Sequence, residues 1–100
     1  MFKLKFTNIY ENDYYEIIKY LLQFYPDTPV KFKNKLKSVL SNIRTNPHMY
    51  KTCFFNPKFK QANFLDYVVF YKIVKETETE KMVEVHRILH GARDIENILK

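Results

Sequence analysis

Residues 66–89 read DYVVFYKIVKETETEKMVEVHRIL. The opening DYVVFYKIV (66–74) is nearly all apolar, β-branched or aromatic, the pattern of a strand covered on both faces. KETETEK (75–81) contains no hydrophobic residue and reads as a charged hairpin loop. MVEVHRIL (82–89) then returns as the last strand. Strands joined by so short a connection pair antiparallel. A hairpin with two apolar faces needs covering elements, and the rest of the chain must supply them.

On the N-terminal side, FKLKFT (2–7) alternates Phe2, Leu4 and Phe6 with Lys3, Lys5 and Thr7, the period of a half-buried strand. IYENDYYEIIKYLLQFY (9–25) follows. Tyr14, Ile17, Ile18, Leu21 and Phe24 make the stripe of an amphipathic helix, with Asn12 or Asp13 as its cap and Pro26 as its stop. Thr28 and Pro29 open a second helix as N-cap and first helical residue. Its buried stripe is Phe32, Leu36, Val39, Leu40 and Ile43, and Asn46-Pro47 ends it. The short link between the two predicts an antiparallel helical hairpin. TCFF (52–55) reads as a short strand, and NPKFKQANF (56–64) as a loop or frayed edge, since Pro57 cannot donate to a ladder. On the C-terminal side, Gly91 breaks the last strand, and ARDIENILK (92–100) begins a short helix with Ile95, Ile98 and Leu99 on one side. The expectation is one α+β domain over 1–100, in the order β-α-α-β-β-β-α. A small, mostly antiparallel sheet carries the helical hairpin on one face.

One hundred residues, 46% of them hydrophobic, suffice for one modest core. A single cysteine, Cys53, permits no internal disulfide, which fits a reducing compartment. The N-terminus lacks the apolar run of a signal peptide, and no stretch approaches the ~20 apolar residues of a spanning helix. A soluble cytoplasmic protein is therefore the expectation. The formal charge of +6 is unevenly placed. Residues 28–63 carry Lys31, Lys33, Lys35, Lys37, Arg44, Lys51, Lys58 and Lys60 and no acid. Such a field attracts polyanions, whether nucleic acid, an acidic protein segment or a membrane surface, with Lys31, Lys35, Lys58 and Lys60 as the candidate contacts. The plainer reading is a solvated face that keeps the protein soluble.

HRILHGARDIENIL (86–99) holds the only glycine, two of the three histidines and two of the three arginines. Metal chemistry is not indicated. Cys53, His48, His86 and His90 form no ligand motif, and His86 and His90 on one strand stand ~13 Å apart. One glycine cannot build a phosphate loop, so no cofactor is expected. Cys53 beside Phe54 and Phe55 reads as a small core residue. The remaining possibility is RNA phosphodiester cleavage without metal. His86 and His90 would serve as acid and base, and Arg87, Arg93 and Lys60 as phosphate clamps. A structural corner explains the same residues: Gly91 supplying positive φ, His90 bonded to a backbone carbonyl, Arg93 and Asp94 exposed in a first helical turn.

VEVHRILHGARDIENIL (83–99), with its closing strand and H-x-x-RD helix start, resembles the RelE/ParE superfamily of bacterial type II toxins. YVVFYKIV (67–74) matches the preceding strand in rhythm, and chain length, N-terminal strand and helical hairpin agree. The resemblance implies a small basic α+β toxin neutralised by an acidic antitoxin encoded beside it, in a toxin–antitoxin hetero-oligomer. It offers two targets. ParE-like members poison DNA gyrase without being nucleases, and RelE-like members cut mRNA on the ribosome. The ending NILK carries no Tyr or His, and residues 56–65 lack the arginine found before the strand in RelE-like members. Both departures favour the ParE-like branch over an endoribonuclease. A degenerate toxin that only binds its antitoxin is a third possibility.

Overall fold

The structure, a computed structural model, describes residues 1–24 and 26–99. Tyr25, at the end of the stretch read as the first helix, and Lys100, at the end of the NILK tail, lie outside the described residues. The elements are β1 (Lys3–Phe6), α1 (Asn8–Leu21), α2 (Thr28–Thr45), a 3-10 turn (Pro47–Met49), β2 (Lys51–Thr52), β3 (Lys60–Phe64), β4 (Tyr67–Glu76), β5 (Lys81–His90) and α3 (Ile95–Ile98). The fold is α+β, with the helical hairpin on one face of a mixed sheet.

The sheet has the order β1-β5-β4-β3-β2. The consecutive pairs β2–β3, β3–β4 and β4–β5 are antiparallel, as the short connections require. β1 joins β5 in parallel, made possible by the long helical crossover between them. α1 and α2 cover one face. Tyr10, Leu21, Phe32, Leu36, Val39 and Ile43 pack there against Val69, Tyr71, Val83, Val85 and Ile88. The second face is partly covered by α3 and the loop before β3, through Leu99, Cys53 and Phe59 on Val68, Phe70 and Leu89. The double coverage accounts for the nearly unbroken apolar run of β4.

Several local expectations change. Strand β3 occupies part of the segment read as a loop. Ala62 and Phe64 alternate inward, and a two-residue turn, Leu65-Asp66, places Phe64 opposite Tyr67. Pro57 lies before the ladder begins, so it costs no hydrogen bond. Conversely, Phe54 and Phe55 are not in a strand; β2 ends at Thr52. Helix α1 starts four or five residues ahead of Asn12 and Asp13, at the very end of β1. Its cap is Thr7, whose hydroxyl accepts the Tyr10 amide at 3.0 Å and donates to the His86 carbonyl at 2.7 Å. Phe24 falls beyond the helix and is exposed. The N-cap of α2 is Asp27, with Thr28 already helical. Gly91 has no positive φ; among the described residues only Leu65 does, at 49°.

Two bulges interrupt the β4–β5 ladder. At the first, Tyr71 pairs with Val85 and Phe70 with Arg87, leaving His86 as the extra residue. A bulge re-aims the side chains around it; this one breaks the alternation, so that Val85 and Ile88 both face the helices and His86 and His90 fall on opposite faces of the sheet. No described helix is long and apolar enough to cross a membrane.

Candidate functional site

The corner after β5 is a tight hydrogen-bonded turn. The Gly91 amide donates to the Asp66 carbonyl at 2.7 Å and the Arg93 amide to the His90 carbonyl at 3.0 Å. The Ala92 amide donates to His90 Nδ1, also at 3.0 Å. His90 therefore accepts from the backbone at this corner, where the sequence suggested donation to a carbonyl. The neutral ring that fits this bond carries its proton on Nε2. Its edge meets Tyr67 at 5.2 Å between ring centroids.

His90, Arg93 and Arg87 line one cleft of about 650 Å³ between the end of β5 and α1, together with Asp13, Tyr20 and Tyr67. Arg87 is not free within it. Its Nε donates to Asp13 Oδ2 at 3.0 Å and its Nη2 to Oδ1 at 2.8 Å. This bonding raises the guanidinium pKa above its ordinary value, against the opposing effect of burial. His86 points to the other face. Its ring stacks on Phe59 at 4.6 Å and 14°, and burial lowers its pKa from the ordinary 6.5. Lys60 lies two strands away and donates to the Tyr50 carbonyl at 3.0 Å. Of the five residues singled out for RNA cleavage, the fold brings three to one cleft, and one of those is committed to Asp13. Among the described residues no group of His, Cys, Asp and Glu is placed to hold a metal ion.

A larger groove, about 770 Å³, runs between α1 and α2 beside β1. Tyr10, Tyr14, Leu36, Leu40 and the half-exposed Phe6 give it an apolar lining, and Lys33, Lys37 and Arg44 stand along it with Glu11. The aromatic rings form a row, Phe6 to Tyr10 at 5.0 Å and Tyr10 to Tyr14 at 6.4 Å. Lys33, Lys37, Leu40, Ser41 and Arg44 follow i, i+4, i+7, i+8, i+11 and so share one helix face. Lys31 and Lys35 lie outside this set; Lys31 lines a smaller hollow near Asp66 and Tyr67. Lys58 is exposed in the loop before β3.

The sequence signal for the groove was present in that second stripe of α2, masked by the lysines at every odd position from 31 to 37. The signal for Asp13 was its place one helical turn before Ile17 on the inward side of α1.

A family model described as the ParE toxin of the type II toxin-antitoxin system parDE matches residues 4–95. Among solved structures, a chain of a chromosomal ParDE toxin-antitoxin system from P. aeruginosa is similar, with a TM-score of 0.69 at 16% identity over 90% of this chain and 96% of that one. No curated protein matches in sequence.

Proposed function

The chain belongs to the ParE family of type II toxin-antitoxin toxins, and from that premise we propose that it arrests growth by binding DNA gyrase and that an acidic antitoxin neutralises it. The observation that supports binding over cleavage is the dispersal of the candidate cleavage residues. His86 stacks on Phe59 behind the sheet, Lys60 is tied to Tyr50, and Arg87 is held by Asp13. A metal-free ribonuclease needs an acid, a base and a free cation around one phosphate. The cleft offers His90 and Arg93 for those tasks and no second histidine.

The α1–α2 groove supports the partner half of the reading. An apolar strip flanked by Lys33, Lys37 and Arg44 suits an amphipathic segment with carboxylates along its edges. Such a toxin acts in the cytoplasm, where gyrase and a co-expressed antitoxin are found.

The test is plasmid supercoiling. Purified protein added to gyrase in stoichiometric amounts should block supercoiling and leave translated mRNA intact. Unimpaired supercoiling, together with new cuts in mRNA on ribosomes that disappear in His90→Ala, would replace this reading with the ribonuclease one. Harmless overexpression, with antitoxin binding retained, would reduce the protein to a binding module.

A further inference from the structure

We propose that the loop between β2 and β3 is a stacking site for single-stranded nucleic acid, with Phe54 and Phe55 as the platform. Phe54 is 89% exposed and Phe55 47%. Leaving a phenylalanine in water forgoes the free energy of burying it. Floppiness of the loop does not explain the exposure, because its base is held at several points. The Cys53 amide donates to the Phe59 carbonyl at 2.8 Å and the Phe59 amide to the Asn56 carbonyl at 3.0 Å. Asn56 Nδ2 donates to the Leu99 carbonyl at 2.7 Å, and Asn56 Oδ1 accepts the Lys58 amide at 3.2 Å. Cys53 and Phe59 are buried in the second core cluster. The fold thus takes Cys53 before the pair and Phe59 after it into its interior and presents the pair itself to solvent.

The two rings lie 5.6 Å apart at 83°, so they offer faces in two directions. A flat protein surface meets one of those faces. A single strand, whose bases rotate about a flexible backbone, meets both, and base–aromatic stacking tolerates any sequence. The charge agrees with this occupant. Lys51 on the outermost strand and Lys58 in the loop stand on either side of the pair in sequence, both exposed, within a stretch of 36 residues, 28–63, that has no acid. Asp94 and Glu96 belong to the α3 side, where Asn56 ties the loop down. The phosphates are therefore assigned to the sheet-edge flank that carries Lys51. Neither the cleft nor the groove takes part in this site.

The experiment is fluorescence anisotropy of labelled oligothymidylate with the full-length chain across a salt series. The wild type should bind, and affinity should fall as salt rises. Phe54→Ala/Phe55→Ala should lose at least about fivefold in affinity at every salt concentration with the salt slope unchanged. Lys51→Gln/Lys58→Gln should instead flatten that slope by about 0.7 for each lysine that meets a phosphate. Phe54→Tyr should bind as the wild type does. The aromatic pair is exposed, so thermal melts of these variants should match the wild type. The proposal is overturned if the oligonucleotide does not bind at low salt. It is also overturned if the double alanine variant binds equally well, or if the rings serve only to capture phosphatidylglycerol vesicles.

Discussion

Arg87 on β5 and Asp13 on α1, 74 positions apart in sequence, form a two-pronged ion pair at 3.0 and 2.8 Å. Asp13 Oδ2 also accepts the Ile88 amide at 3.3 Å. The side chains are 22% and 13% exposed, so the pair is largely shielded from solvent and sits directly beside the bulge. It pins the helical hairpin to the strand whose end forms the cleft.

Removing either partner leaves the other half-buried and unpaired. Arg87→Ala and Asp13→Ala should each cost about 2 kcal/mol, which lowers the Tm of a chain this size by about 10 °C. The double variant should cost less than the sum, with a coupling of about 0.5–3 kcal/mol in a denaturation cycle. Additive single effects would show that the pair contributes nothing beyond its separate contacts.

His86 gives the fold a pH dependence of definite sign. Burial lowers the pKa of its imidazole from 6.5, so the folded chain favours the neutral ring and the unfolded chain takes up the proton at higher pH. The stability contributed here is complete above 6.5, falls as pH drops below it, and levels off once the folded state is protonated too. His86→Phe should keep the stack on Phe59 and lose this slope. Urea melts of both proteins from about pH 7.5 to about pH 5 would measure the difference. Parallel curves would assign the pH dependence to other groups.

The backbone predicts an inversion of the usual glycine rule. Gly91 has no positive φ, and a Cβ built there meets only the Asp66 carbonyl, at 3.4 Å. Gly91→Ala should therefore change stability by less than about 0.5 kcal/mol. Leu65, at φ 49° and half exposed, occupies a conformation that Asn tolerates far better than Leu. Leu65→Asn should stabilise by about 0.5–1 kcal/mol. Thermal melts decide both, and a large loss from Gly91→Ala would contradict the geometry.

The two sets of α2 lysines should differ in their effect on the antitoxin. Lys33→Glu/Lys37→Glu places carboxylates along the apolar groove and should weaken antitoxin binding by roughly tenfold or more. Lys31→Glu/Lys35→Glu, outside that set, should leave affinity within about threefold. Calorimetric titration with the purified antitoxin measures both, and equal losses would point to a diffuse field in place of a groove.

The sequence by itself determined the β4–β5 hairpin, the helical stripes except for Phe24, the antiparallel order of the later strands and the family. These rest on local periodicity and chain connectivity, which are written in consecutive residues. Strand β3 was harder to read because its alternation spans only Lys60–Phe64 behind Pro57. The Thr7 cap was hidden by a strand that passes into a helix without a loop. Tertiary structure alone decided the site. One extra residue in β5, paired against a partner more than ten positions away, breaks the alternation, so that His86 and His90 part to opposite faces while Arg87 meets Asp13 on α1. Spacing along a strand assigns faces only while the ladder is regular. Whether it is regular depends on the neighbouring strand and helix, and that information lies outside any local stretch of sequence.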